Sequence, residues 1–257
     1  MTGALPPNGV KRRLGDASAG VQWAMFVALA DPVAAEICAG AGFDLVVIDA
    51  EHGPNDLLTI LAQLQAVEAA GGEAAVRCWN HDAADIKRLL DAGARTLVVP
   101  MIDTAAQAAA IVAATRYPPE GIRGVSSARA ARWGRIPGYH ATAAEQLCVI
   151  AQVESAAGLE HIEEICAVDG IDAVFIGPMD LATSLGHIAG GTLPEVVEIV
   201  SGALARIAAT GTPAAVMATS NDLVERYTAA GARLVAVGVD TAILAGATTA
   251  LRQSLPG

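Results

Sequence analysis

The run FDLVVIDAEHGPND, residues 43–56, carries an apolar segment straight into Asp49, Glu51 and His52 before Pro54 and Asn55 break it. A carboxylate beside an imidazole makes a general base and its orienter, because the acid fixes the ring tautomer and raises its basicity. A solvated turn could carry the same residues. Other apolar runs end in similar ways. AAVRC sets Arg77 inside an apolar stretch, where a guanidinium must find an anion. It is either one half of a buried ion pair or a fixed cation aimed at a developing enolate or carboxylate. AQVES ends in Gln152 and Glu154, and FIGPMD is closed by Asp180. Two hard carboxylates on neighbouring segments suit an oxygen-preferring divalent cation such as Mg²⁺ or Mn²⁺, with water and substrate completing its shell. The alternative is that each caps the helix that follows it.

These residues need a scaffold that brings segment ends together. Strand candidates are residues 21–29, 43–49, 73–79, 95–101, 146–154, 172–177, 213–218 and 233–239. Most are continuous apolar runs, the pattern of parallel strands covered on both faces. Ala-rich segments with helical spacing lie between them, and glycine tends to follow each. AGFDLVVID, AGARTLVVP, DGIDAVFIG and AGARLVAVG repeat a helix end, a turn and a strand. Eight strands, each followed by a helix, without a Pro/Gly/Ser-rich linker, predict one (β/α)8 TIM barrel over residues 1–257. The rival is an open doubly wound sheet, which would usually carry a glycine-rich phosphate loop after its first strand; VALADPVAAEI is not one. A barrel gathers its chemistry at the C-terminal ends of its strands. The longest irregular stretch, from about Tyr117 to His140, holds four arginines and three aromatics between the fourth and fifth strands. Loops of that length are usually functional or disordered.

Composition removes several classes. The chain has 257 residues, 53% hydrophobic but only 4% aromatic, so Ala, Val, Ile and Leu must build the core. The net charge of −11 is spread without a like-charge block, and no basic stripe suggests nucleic acid. Cys38, Cys78, Cys148 and Cys166 form no C-x-x-C pair and sit among apolar residues, as free thiols of a reducing compartment would. No signal-peptide core or membrane-length apolar run is evident, so a cytoplasmic protein without membrane contact is expected. Lys11 and Lys87 are the only lysines and neither is at a strand end, which disfavours Schiff-base chemistry. The seventh and eighth strands lack a glycine-rich phosphate loop.

FDLVVIDAEHGPND, VPMIDTAAQA, RYPPEGIRG, AQVESAAGLEHI, DAVFIGPMDLATSLG and LVAVGVDTAIL together resemble the HpcH/HpaI family of class II pyruvate aldolases, in order and spacing, from about Gly20 to Leu251. The resemblance implies a (β/α)8 barrel whose last helix is exchanged with a neighbour in a homohexamer built as a dimer of trimers. It implies a divalent metal ion (Mg²⁺, Mn²⁺ or Co²⁺) held by Glu154 and Asp180, and pyruvate chelating that ion. Arg77 would steady the enolate. His52 would work with Asp49 through a metal-bound water, and Asp91 matches an acid that reaches a neighbouring subunit's site. Gln152, Gly177, Pro178, Met179 and Met217 would join Arg77 in lining the substrate pocket.

Met179 stands where Ala is common in the family, His81 where Asn is common, and the 123–135 loop is shorter than in a heptanedioate-cleaving member. The resemblance sets that loop at the acceptor-aldehyde end. The implied reaction is reversible cleavage of 4-hydroxy-2-oxo acids to pyruvate and a small aldehyde, with oxaloacetate decarboxylation as a side activity. Two rivals remain: a metal-dependent acyl-CoA lyase on a similar barrel, with the arginine loop holding the nucleotide, and a non-catalytic 2-oxo-acid binding protein.

Overall fold

The computed structural model describes residues 5–256. Eight parallel strands pair in sequence order and close on themselves: β1 (Gln22–Val27), β2 (Leu45–Asp49), β3 (Ala74–Arg77), β4 (Thr96–Val99), β5 (Cys148–Val153), β6 (Ala173–Ile176), β7 (Ala214–Met217) and β8 (Ala232–Val239). The helices are α1 (Gly9–Gly15), α2 (Pro32–Gly40), α3 (Leu57–Ala69), α4 (Ala83–Ala92), α5 (Ala105–Thr115), α6 (Tyr139–Thr142), α7 (Ala156–Glu160), α8 (Ile162–Cys166), α9 (Pro178–Ser184), α10 (Pro194–Ala209), α11 (Asn221–Ala229) and α12 (Asp240–Gln253). The expected (β/α)8 barrel is therefore the observed one. Each predicted strand contains the observed one apart from a residue's difference at the start of β8.

The strand runs are apolar throughout because the barrel has two cores. Val46, Ile48, Val76, Leu97, Val99, Val149, Val174 and Val216 pack outward against the helices. Leu45, Val47, Ala75, Val98, Cys148, Ile150, Phe175 and Ala215 pack inside the barrel. Side chains alternate along a strand, so the next inward positions after Val47, Ala75, Ile150, Phe175 and Ala215 are Asp49, Arg77, Gln152, Gly177 and Met217. One more inward step on β5 reaches Glu154. The interior thus changes from apolar to polar at the C-terminal ends of β2, β3 and β5. Asp49 and Arg77 are direct partners in the β2–β3 register.

The opposite end is closed by α1. Its Val10 and Leu14 join the inner core. Asn8 caps it by accepting from Lys11 N, and Lys11 ion-pairs with Asp172 at 3.0 Å. The 117–140 stretch lies at this end as well, because α5 runs antiparallel to the strands and returns the chain there. Arg129 donates to Ala92 O and pairs with Glu68, at the far ends of α4 and α3. The four cysteines are free. Among the described residues no helix is long and apolar enough to cross a membrane.

Candidate active site

At the mouth of the barrel Arg77 is held by two carboxylates. Its Nε donates to Asp49 Oδ1 at 2.9 Å and its Nη2 to Asp49 Oδ2 at 2.7 Å, a bidentate pair. Its Nη1 lies 3.1 Å from Glu51 Oε2. Below, the guanidinium sits 5.0 Å from the Phe26 ring centroid, and Phe26 meets Phe175 edge-on at 6.1 Å. The aromatic floor and the acids leave the cation little freedom. Glu51 is drawn into the site, where burial, against the pull of Arg77, pushes its carboxyl up to about 7; Asp49 and Asp180 add to the rise.

The expected Asp49–His52 pair is not formed in this structure. Both Asp49 oxygens are engaged by Arg77, and Oδ1 also accepts the backbone N–H groups of Glu51 and His52. The His52 ring stands largely exposed at the lip, and its nearest acid is Glu51, with Oε2 3.7 Å from Nε2. The physical reason is competition: a bidentate guanidinium pair saturates a carboxylate that an exposed imidazole would otherwise share.

Glu154 and Asp180 are not helix caps. Ser155 caps α7 by accepting from Gly158 N, and Gly177 is the N-cap position of α9, with Asp180 exposed in the first turn. Glu154 is 6% exposed. Its Oε1 accepts from Met101 N at 2.9 Å, and its Oε2 accepts from the Gln152 amide. Met101 takes a left-handed backbone, φ 58°, to aim that N–H, a conformation unusual for a residue with a side chain. Gly177 makes room for the carboxylate, since a Cβ there would stand 2.6 Å from Glu154 Oε2. Burial pushes the Glu154 carboxyl up to about 7 against the Gln152 hydrogen bond, with Glu51 and Asp180 adding to the rise.

This arrangement fits a divalent cation. The carboxyls of Asp49, Glu51, Glu154 and Asp180 gather near the single guanidinium of Arg77, and Gln152 Oε1 is buried without a partner. Hard oxygen donors with excess negative charge are the surroundings that Mg²⁺ or Mn²⁺ prefers. Among the described residues no group of three or more His, Cys, Asp or Glu side chains is arranged to hold a metal ion.

The other predicted residues divide between mouth and far end. Gly177 and Pro178 are buried beside Glu154, and Met179 is half-exposed with its sulfur near Gly191. Gln152 is 1% exposed and turns its amide to Glu154, not to an open cleft. Met217 packs on the inner core. Asp91, at the end of α4, lies at the opposite face, 3.2 Å from the buried Arg123. The 123–135 loop, expected at the acceptor-aldehyde end, lies instead at the far end of the barrel from the mouth, where Arg129 holds Ala92 O and Glu68. A cavity of about 210 Å³ under that loop is lined by Arg95, Arg129, Arg132, Glu68 and Glu73, whose charges pair with one another.

Comparison with known proteins identifies the family. Residues 22–247 match the family described as HpcH/HpaI aldolase/citrate lyase. A 4-hydroxy-2-oxovalerate aldolase of Novosphingobium aromaticivorans is 51% identical over 207 residues, covering 80% of this chain and 79% of that protein. A hydroxypyruvate/pyruvate aldolase of Deinococcus radiodurans is 50% identical over 204 residues, covering 79% and 74%. The crystal structure of an HpcH/HpaI aldolase/citrate lyase family protein from Burkholderia cenocepacia superposes with a TM-score of 0.91 at 39% identity, covering 96% of this chain and 98% of that one. With its barrel, its clustered acids and these relatives, the chain belongs to the HpcH/HpaI aldolase/citrate lyase family and is a carbon–carbon lyase of the aldolase type.

Proposed function

We propose that the protein is a metal-dependent class II aldolase cleaving 4-hydroxy-2-oxo acids to pyruvate and a small aldehyde, with oxaloacetate decarboxylation as a side activity. The observation that carries the reading is the buried Glu154, fixed by Met101 N–H and Gln152, sharing one mouth with Asp180 and the clamped Arg77. When bound by Glu154 and Asp180, a divalent cation supplies Lewis-acid polarisation of the 2-oxo group. Arg77, already oriented by Asp49 and Glu51, stabilises the negative charge that grows on the substrate's oxygens as the bond breaks. His52, at the lip, accepts the proton of the 4-hydroxyl. The C3–C4 electron pair passes to C3, the aldehyde leaves, and protonation at C3 yields pyruvate. Gly177, Pro178 and Met179 line the pocket beside the carboxylates.

Assembly into a homo-oligomer with α12 exchanged between copies is part of the same proposal. It is supported by Ile243, Leu244 and Leu251, which α12 leaves exposed. Light scattering that found only monomer would overturn it.

The deciding experiment is pyruvate release from 4-hydroxy-2-oxo acids by EDTA-stripped protein, before and after adding Mg²⁺, Mn²⁺ or Co²⁺. Activity that appears only with metal is expected, and Glu154→Gln should abolish both metal binding and most turnover. Cleavage without metal would overturn the mechanism. No cleavage with any metal, together with heat on titrating acyl-CoA, would shift the reading to an acyl-CoA lyase.

A further inference from the structure

The loop that carries Glu51 and His52 is closed by a buried side-chain network that the reaction chemistry does not use. Asn55 Nδ2 donates to Asp49 O at 2.7 Å, so one side chain ties the end of the loop to its beginning. Asn55 Oδ1 accepts from Gln63 Nε2 at 2.6 Å and from Thr59 Oγ1 at 3.2 Å. The backbone carbonyl of Asn55 accepts from Trp79 Nε1 at 3.0 Å. Asn55 is 5% exposed and Gln63 is 0% exposed. Inside the loop, Gly53 presses on the strand ends, since a Cβ there would stand 2.5 Å from Asp49 O and 3.1 Å from Ala28 O. Gln63 sits on α3, whose start is fixed by the Asp56–Thr59 capping box. The loop is thus bolted to a helix, to two strand ends and to the residue after Cys78 on β3's exit.

We infer that Asn55, backed by Gln63 and Trp79, is a positioning residue that sets where the 49–55 loop holds Asp49 and Glu51 against Arg77 and presents His52. The chemistry of the side chain supports the assignment. One position must donate to a carbonyl and accept from an amide at once, and a carboxamide does both. An aspartate would set a second acceptor against Asp49 O and lose the tie. Such a bond, at one remove from the reacting groups, matters because small displacements of catalytic groups cost large factors in rate.

The kinetic consequence rests on the aldolase reading above; the loop-holding consequence does not. The test compares Asn55→Asp and Gln63→Met with the natural protein, by steady-state kinetics with the activating metal and by amide hydrogen exchange without substrate. For Asn55→Asp, kcat should fall about 10–100-fold with KM within about threefold, since loop placement serves the bond-breaking step more than binding. Amide exchange at residues 50–53 should quicken while residues 45–48 of β2 stay protected. Gln63→Met should show the same pattern to a smaller degree, and it carries the test if Asn55→Asp does not fold. An unchanged kcat would overturn the inference. So would exchange that quickens equally in β2 and β3, which marks general loosening, or a loop that exchanges no faster in either variant. If the natural protein cleaves no 4-hydroxy-2-oxo acid, the aldolase reading fails alone, and the exchange result still decides whether Asn55 holds the loop.

Discussion

Gly177→Ala isolates one contact. Gly177 has φ −93°, which an alanine adopts without strain, so the backbone gains no penalty from the change. The added methyl would stand 2.6 Å from Glu154 Oε2 and 3.1 Å from Glu154 Cβ, whereas ordinary contact begins at 3.4 Å. The carboxylate must therefore retreat by about 0.8 Å (3.4 less 2.6) unless the strand end moves. Glu154 has little slack, because Met101 N–H and the Gln152 amide grip its two oxygens. A shift approaching 1 Å at a group that holds the reacting centre costs up to about 100-fold, or about 2.7 kcal/mol.

Calorimetry with Mn²⁺ and kcat/KM for pyruvate release should both show a loss of about 10–100-fold. The melting temperature should stay close to that of the parent, since Gly→Ala at a permitted conformation restricts the unfolded chain by about 0.4–1 kcal/mol in compensation. Gly202→Ala, on α10 and with nothing within 4 Å of its Cβ, serves as the control and should leave metal binding untouched. Mn²⁺ affinity and turnover in Gly177→Ala equal to the parent's would refute the reasoning: either Glu154 is not a ligand, or its position does not matter.

Arg77→Lys should lose about 10²–10³ in kcat, because an ammonium cannot reproduce the bidentate bond to Asp49 while also meeting Glu51; near-parental kcat would remove Arg77 from the charge-stabilising role. His52→Ala should depress aldol cleavage far more than oxaloacetate decarboxylation, which needs no hydroxyl proton removed, and equal losses would contradict the base assignment. pH acts through Glu154. Its carboxyl, raised from 4.5 to about 7 in the folded metal-free protein, holds a proton that the unfolded chain releases. That contribution to stability is complete below about pH 4.5 and is lost as pH rises through about 7. Glu51, raised to about 7 as well, adds a decline over the same window, so metal-free melting temperatures should fall with pH there and Glu154→Gln should lessen the fall without removing it. Metal binding at pH 6 should release a proton, and a calorimetric enthalpy independent of buffer ionisation would contradict it.

The barrel and the list of site segments were legible in the amino-acid sequence because both are short-range patterns. Continuous apolar runs of strand length, separated by helical spacing, are enough to specify parallel strands with two covered faces. Alternation along each run then assigns Asp49, Arg77, Gln152 and Glu154 to the inside at the polar end. What the sequence could not decide is which of these groups meets which. Asp49 lies three residues from His52 but is claimed by Arg77, 28 positions away, because strand register brings a bidentate partner that outcompetes an exposed ring. Glu51 follows its strand with nothing local to mark its partner, yet the tertiary fold draws it beside the guanidinium and raises its carboxyl. The long arginine-rich loop looked like a rim of the mouth, but the return of α5 carries it to the other end, over Asp91. Local sequence determines the strands and which face each side chain takes. Long-range pairing, and the desolvation that comes with it, is a property of the closed barrel and appears only when the eight strands meet.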